Sequence, residues 1–161
     1  MFTPASRSPS AGVFSPALLY TDGGARGNPG PAAIGVVLHW RGRKYTLARR
    51  IGRATNNEAE YLALLAGLRL AQRLGVKRVH CRLDAELVVR QLKRQYKVRD
   101  KRLGRLFVQV WNTLSSFQRV TFESIPRRQN READSLLNRE LNHRPALDKK
   151  RLGKKRKGSD A

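Results

Sequence analysis

Apolar and polar positions along the middle of the chain alternate in a way that predicts both strands and helices. Turn-rich segments separate the first three β-prone runs, which favours antiparallel hairpins, whereas helical periods separate the later ones, which implies parallel crossovers. The predicted strands are Ala17–Tyr20, Ile34–Trp40, Lys44–Ile51, Val79–Leu83 and Val120–Ile125. The sequence therefore predicts an α/β fold with a mixed five-stranded sheet, three antiparallel strands followed by parallel strands, flanked by helices.

Four helices fit the remaining periodicity. The first follows Thr55–Asn56–Asn57, which supplies N-cap chemistry, and we expect Asn130 to cap the last one. Helical spacing also covers Glu86–Arg94 and Leu103–Ser116. The apolar face predicted for the first helix consists of Ala59, Leu62, Ala63, Ala66 and Leu70. The predicted order of elements is β-β-β-α-β-α-α-β-α.

Three zones divide the 161 residues, a length that fits one domain. Residues 1–16 are rich in Pro and Ser and predict a disordered extension without the sustained apolar stretch of a signal peptide. Residues 17–143 carry all the periodic patterning and predict a single folded domain. Residues 144–161 predict a flexible basic tail with eight basic and two acidic residues.

The net charge of +22, from 34 Lys and Arg against 12 Asp and Glu, predicts a polyanionic partner. A nucleic acid and an anionic membrane surface both fit this charge. No apolar run approaches the roughly 20 residues that span a bilayer, so we expect no membrane insertion. The hydrophobic content of 40% argues against general disorder and places most of the charge on a folded domain.

A single cysteine, Cys81, can form no disulfide within the chain and excludes a cysteine-based zinc site. This composition is typical of a reducing compartment, and we expect a cytoplasmic protein. We also expect a monomer.

Four acidic residues lie at or near the ends of predicted strands and helices, and we expect these ends to lie at the same edge of the sheet. Asp22 and Asp84 are predicted to end two strands, and ligands of α/β sheets collect outside the carboxyl ends of strands. Glu60 and Asp134 lie in or near the first turns of two helices. Clustered carboxylates repel each other, and a hard divalent cation such as Mg²⁺ offsets that repulsion. The four acids are therefore candidate metal ligands.

Each of these acids also has a structural explanation when it is taken alone. Acids at strand ends or in first helical turns often serve as caps or as partners of the helix dipole. We interpret Glu58 and Glu132 in this way. Spacing alone does not select Glu60 over Glu58.

Four segments, taken together and in order, resemble the four motifs of ribonuclease H type 1. They are Tyr20–Gly30 (YTDGGARGNPG), Thr55–Glu60 (TNNEAE), Leu83–Val89 (LDAELVV) and Ile125–Asp134 (IPRRQNREAD). The resemblance covers residues 17–142, and it is what selects Glu60. It implies that Asp22 bridges two metal ions, that Glu60 and Asp84 hold one of them, and that Asp134 helps to hold the other.

The resemblance further implies a substrate and a cofactor. The RNA strand of RNA–DNA hybrids would be hydrolysed with Mg²⁺, or alternatively Mn²⁺, leaving 5′-phosphate and 3′-hydroxyl ends. The positions implied in substrate binding are Gly24, Ala25, Asn28, Asn56, Asn57, Glu86, Arg127 and Arg128. An Asn amide can read a 2′-hydroxyl because both groups donate and accept, although Asn56 and Asn57 could instead serve only as helix caps.

Two departures from the best-known bacterial pattern leave alternatives open. In that pattern a His in the loop before the last acid helps product release. The corresponding loop here, Pro126–Asn130, has no His, so Arg127 or Arg128 would take over part of that role. The best-known bacterial enzymes carry a long, basic, Trp-containing segment, the handle, where this chain has the shorter segment Lys93–Arg105. Glu86 replaces a Gln that touches substrate in those enzymes. The chain is thus similar to the handle-less branch of bacterial and archaeal enzymes, some of which also cleave double-stranded RNA. A non-catalytic nucleic-acid-binding module is the remaining alternative, and the presence of all four acids speaks against it.

Overall fold

The computed structural model describes residues 15–143. The basic tail 144–161 and nearly all of the predicted extension 1–16 lie outside the described residues. Within the described part, no helix combines the length and the apolar character needed to cross a bilayer.

The observed elements follow the predicted order. The strands are β1 (Ala17–Ala25), β2 (Gly30–Trp40), β3 (Arg43–Ala54), β4 (Arg78–Leu83) and β5 (Arg119–Ser124). The helices are α1 (Asn56–Arg73), α2 (Glu86–Leu92), α3 (Lys101–Leu114) and α4 (Arg131–Asn142), with a 3-10 turn at Arg127–Gln129. The sheet order is β3-β2-β1-β4-β5, antiparallel from β3 to β1 and parallel from β1 to β5. The predicted fold class is confirmed.

Strand β1 is longer than predicted, and this changes the position of Asp22. The parallel pairing with β4 ends at Thr21, but the antiparallel pairing with β2 continues to Ala25. Asp22 therefore lies inside β1, opposite Gly35, at the point where the parallel neighbour stops. The expectation that Asp22 ends the strand was wrong because β2 extends the ladder after β4 has ended.

Helix α1 packs on the sheet and contributes nine buried residues. Its buried side centres on Leu64 and Leu68, which pack against Leu19 and Val36 in the main core. The predicted face was rotated relative to this one, since Leu62, Ala66 and Leu70 are only half-buried. Burial of such aliphatic side chains contributes about 1.5–3 kcal/mol each.

The N-cap of α1 lies within the predicted segment, whereas the cap of α4 differs from the prediction. Thr55, not Asn56, is the N-cap of α1, and it forms a capping box in which Glu58 turns back toward the Thr55 backbone N–H. This confirms the structural interpretation of Glu58. Asn130 occupies the N-cap position of α4 but makes no side-chain cap bond.

Candidate active site

The four candidate acids line one cleft at the edge of the sheet where β1 loses its parallel neighbour. Asp22 lies on β1, Asp84 directly follows β4, and Glu60 and Asp134 lie near the N-termini of α1 and α4. Carboxylate oxygens of Asp22, Glu60 and Asp84 all lie within 4.8 Å of one another. The cleft has a volume of about 540 Å³ and is open to solvent.

Two glycines let the helices that carry Glu60 and Asp134 touch the backbone of the sheet. A Cβ atom at Gly23 would lie 2.1 Å from the Ala59 carbonyl oxygen, at the residue before Glu60. A Cβ atom at Gly35 would lie 2.0 Å from the Ala133 carbonyl oxygen, at the residue before Asp134. Since real Cβ contacts essentially never fall below 3.0 Å, only glycine fits at either contact. Glu60 and Asp134 can thus approach Asp22 because Gly23 and Gly35 have no side chains that would hold the two helices away from the sheet.

The segment before α4 is tied to β1 by a buried hydrogen bond. The Nδ2 group of Asn130, which is 1% exposed, donates to the Thr21 carbonyl oxygen at 2.9 Å. The Asp134 backbone N–H donates in turn to the Asn130 carbonyl oxygen at 3.1 Å. This chain of contacts sets Asp134 relative to Asp22, the residue after Thr21.

Burial and mutual repulsion make the acids difficult to ionise together. Burial, followed by the charge of Asp84, raises the pKa of Asp22 from 3.8 to about 8, although the hydrogen bond with Glu60 lowers it in part. Burial also raises the pKa of Glu60 well above 4.5, with the charges of Asp22 and Asp84 adding to the effect. A bound cation would favour the ionised forms of both groups.

The donor set fits a hard divalent cation. All the candidate ligand atoms are carboxylate oxygens, which Mg²⁺ prefers. The Oε2 atom of Glu60 is buried and has no hydrogen-bond partner within residues 15–143, although buried polar atoms are normally paired. A cation beside Asp22 would supply that missing partner.

The loop between β1 and β2 is interlocked with the start of α1. The Ala25 backbone N–H donates to Asn56 Oδ1 at 3.0 Å, and the Asn56 backbone N–H donates to Asn28 Oδ1 at 3.0 Å. The acceptor atoms of both side chains are thereby used, while their Nδ2 groups find no acceptor within the described residues. These two amides are left as donors next to the cleft, whose lining includes Gly24, Ala25 and Asn56.

The structure brings the other sequence-predicted positions together only in part. Arg127 lines the cleft, and its guanidinium lies 3.7 Å from Asp134 Oδ1. Glu86 is exposed, forms an ion pair with Arg90 and is not among the lining residues. Asn57 and Arg128 are exposed, and their side chains form no hydrogen bond or ion pair with another described residue.

Some cleft residues were missed by the sequence reasoning. Arg26, Asn138 and Leu141 line the cleft beside α4. Asn138 lies one helical turn after Asp134, so i, i+4 spacing could have identified it. Arg26 falls inside the first motif, but its hydrogen bond to Asn142 depends on residues far apart in sequence.

Comparisons with known proteins agree with this geometry. The sequence profile of the reverse transcriptase-like family matches residues 20–140. A bifunctional protein of Mycobacterium tuberculosis is 43% identical over 124 residues, and ribonuclease HI of Halobacterium salinarum is 42% identical over 125 residues. These alignments cover 75% and 76% of this chain but 34% and 62% of the two relatives, so the chain spans only part of their length.

Solved structures give the same result. The N-terminal ribonuclease H domain of the mycobacterial protein, solved as a fusion with maltose-binding protein, is 40% identical with a TM-score of 0.76. That match covers 78% of this chain and 98% of the solved one. A ribonuclease H1 solved in complex with an RNA/DNA hybrid is 39% identical with a TM-score of 0.74, covering 78% of this chain and 96% of that one.

Proposed function

This chain belongs to the ribonuclease H type 1 family, and we propose that it hydrolyses the RNA strand of RNA–DNA hybrids. The observation that carries the proposal is the close set of Asp22, Glu60 and Asp84 oxygens beside Asp134. A relative of similar fold was solved with an RNA/DNA hybrid, which supports this substrate class. The products would carry 5′-phosphate and 3′-hydroxyl ends.

Asp22 would bridge two divalent cations, with Glu60 and Asp84 holding one of them and Asp134 helping to hold the other. The cations would supply Lewis-acid chemistry, lowering the pKa of the attacking water and stabilising the leaving oxygen. Mg²⁺ suits an all-carboxylate set, and Mn²⁺ is an acceptable substitute. The chain contributes rigid placement, since the glycine contacts fix Glu60 and Asp134 against the sheet.

The interlocked loop would recognise the RNA strand. The free Nδ2 groups of Asn28 and Asn56 would donate to 2′-hydroxyl oxygens, which DNA lacks. Gly24 and Ala25 leave room for the sugar-phosphate backbone to approach β1. Because the Asn side chains are already held by backbone donors, little side-chain entropy is lost on binding.

The position of Arg127 suits a transient contact with the departing phosphate. Its side chain is 80% exposed and only loosely paired with Asp134. An exposed guanidinium can move between a carboxylate and a phosphate. Arg127 would in this way do part of the work that a loop His does in other family members.

A cleavage assay with matched variants tests the proposal. We would incubate end-labelled RNA–DNA hybrid, double-stranded RNA and single-stranded RNA with Mg²⁺, Mn²⁺ or EDTA. The variants are Asp22→Asn and, as a control that removes one acid of α4 outside the cleft, Glu132→Gln, whose partner is Lys44. We expect metal-dependent cutting of the hybrid RNA strand that Glu132→Gln retains and Asp22→Asn loses.

The substrates separate the remaining alternatives. Cutting of double-stranded RNA at a comparable rate would extend the activity to that substrate. Tight binding of the hybrid without cutting in either metal would refute the enzyme proposal and leave a nucleic-acid-binding module.

A further inference from the structure

A second groove lies between the segment that follows α2 and the first turns of α3. Its volume is about 640 Å³, and its lining includes Arg94, Tyr96, Val98, Phe107 and Val108. None of its lining residues lines the acidic cleft. The proposed hydrolysis assigns no role to this groove.

The groove and Trp111, which adjoins it at Phe107, expose aromatic and aliphatic side chains. Tyr96 is 49% exposed, Val108 53% and Trp111 41%, and the Phe107 ring stacks on Trp111 with centroids 5.7 Å apart. Within residues 15–143 these are three of the four large apolar side chains that are exposed, and the fourth is Leu87. Concentration of exposed apolar surface in one place indicates a binding site.

Unpaired positive charge is concentrated in the segment that contributes Arg94, Tyr96 and Lys97 to the groove. Residues 93–105 include seven Lys and Arg residues, all of them exposed, and one acid, Asp100. Asp100 is occupied as the N-cap of α3, where its Oδ1 atom accepts from two backbone N–H groups. None of the seven basic side chains makes an ion pair with another described residue. The groove is therefore complementary to a polyanion that also carries apolar surface.

Arg94 has a backbone conformation that glycine adopts more easily. Its φ is 61°, at the C-terminal end of α2, where a left-handed residue closes the helix. This geometry places the Arg94 guanidinium 5.6 Å from the centre of the Trp111 ring, and Arg90 lies similarly 5.2 Å over Tyr96. An exposed arginine kept at an unfavourable φ, with its guanidinium beside an exposed ring, indicates a functional constraint.

We propose that this groove binds single-stranded nucleic acid, with unpaired bases on Tyr96 and Trp111 and phosphates on the surrounding cations. Aromatic platforms in basic grooves bind single strands, because every unpaired base offers a π-face. The bases of a duplex are stacked on each other and are not available to these rings. The charged backbone of a duplex would not pack on the apolar lining. The inference rests on the proposed function, because the single strand that we expect here is the unpaired flank of an RNA–DNA hybrid.

One short helix, α2, separates the cleft from the groove, since Ala85 lines the cleft and Gln91 lines the groove. Helix α2 begins two residues after Asp84 and has seven residues, a length of about 10 Å. A strand that leaves the cleft along α2 would reach Tyr96 at the far end of the helix.

Binding of a labelled single strand to the full chain tests the inference without any cleavage. We would measure fluorescence anisotropy of an oligodeoxythymidylate of about 12 nucleotides in EDTA over a range of salt concentrations. Tyr96→Ala should raise Kd roughly tenfold, whereas Tyr96→Phe, which keeps the ring, should leave it unchanged. Arg94→Gly should flatten the slope of log K against log salt by about 0.7, the value for one lost phosphate contact.

Arg69→Ala is the matched control, because it removes one exposed charge from a different groove, between α1 and β3, that shares no lining residue with this one. We expect it to leave both Kd and the salt slope unchanged. Equal binding by Tyr96→Ala and the intact chain, or equal slopes for Arg69→Ala and Arg94→Gly, would overturn the inference.

Cleavage of a blunt hybrid separates this inference from the proposed function. Tyr96→Ala should cut a blunt hybrid at the rate of the intact chain. If the intact chain binds the single strand as expected but cuts no hybrid, the proposed function alone fails. If it cuts the hybrid but Tyr96→Ala binds the single strand normally, the groove inference alone fails.

Discussion

Replacement of Gly35 by Ala should push α4 away from the sheet and misplace Asp134. The added Cβ would lie 2.0 Å from the Ala133 carbonyl oxygen and 3.1 Å from the Leu136 Cβ. Because the first of these contacts is with helix backbone, no side-chain rotation can relieve it. Helix α4 must move by about 1 Å to restore a separation of 3.0 Å.

The expected cost follows from this displacement. Overpacking a close contact costs about 1–3 kcal/mol, and a clash with backbone belongs at the upper end of that range. For a chain of this size each kcal/mol lowers Tm by about 2–4 °C, so Gly35→Ala should melt roughly 6–12 °C lower. A displacement of about 1 Å at a catalytic group can cost about 100-fold in rate, and we expect a loss of that order.

Thermal melts by circular dichroism and hybrid cleavage in saturating Mg²⁺ measure the two effects. Gly42→Ala is the control, because Gly42 has a φ of 72° in the β2–β3 turn and nothing within 4 Å of an added Cβ. It should cost about 1 kcal/mol from backbone strain alone and leave cleavage intact. If Gly35→Ala cleaves at the full rate, the Gly35 contact does not hold Asp134 in place, and the reasoning is refuted.

Three further predictions address the cluster, the core and the end of α4. In EDTA the raised pKa of Asp22, about 8, means that this residue's contribution to stability is complete below pH 3.8 and is lost as the pH rises toward 8. Asp22→Asn should flatten this fall in Tm, and identical Tm–pH curves would contradict it. Tyr61→Phe should lower stability by about 1–3 kcal/mol, because the buried hydrogen bond of 2.6 Å from the Tyr61 hydroxyl to Gln91 Oε1 is lost; an unchanged denaturation midpoint would exclude this. Arg50→Ala should speed amide hydrogen exchange in the last turn of α4, because the Arg50 Nε group donates to the Glu140 carbonyl oxygen at 2.9 Å; exchange rates like those of the intact chain would argue against this cap.

The element order was predictable because the period of the apolar residues shows which side chains are buried, and that period differs between a strand and a helix. Alternation at period 2 and spacing near 3.6 depend only on neighbouring residues. The length of β1 was not predictable in this way. Whether Asp22 ends the strand depends on β2, whose pairing continues to Ala25, and on β4, whose pairing stops at Thr21.

The buried face of α1, once it is known from the structure, separates Glu60 from Glu58. Glu58 caps the helix, whereas Glu60 is 9% exposed and shares its side of α1 with Ala63, Leu64 and Gly67, which are also buried. These residues follow Glu60 at i+3, i+4 and i+7, the spacing of one helix face. An acid on the buried stripe of a helix indicates function more strongly than an acid in its first turn.

Contacts between residues far apart in sequence could not be predicted. Gly35 looks like any other small residue of a strand until α4 is placed against it. The same holds for Asn130, whose side chain was expected to cap α4 and instead donates to the Thr21 carbonyl oxygen. Local sequence patterns identify Gly35 and Asn130 as candidates for a turn, strand or cap. Only the packing of α4 on the sheet shows which atoms they contact.

The acidic cluster and the fold around it act in opposite directions on stability. Burial of Asp22 and Glu60 disfavours their charged forms, as their raised pKa values show. The helices nevertheless hold these side chains together, because close contacts at Gly23 and Gly35 fix α1 and α4 to the sheet. Neutralising an acid should therefore stabilise the metal-free chain while it removes a proposed metal ligand, whereas filling a glycine contact should cost both stability and activity. This difference would distinguish residues that bind a cation from residues that only position the ligands.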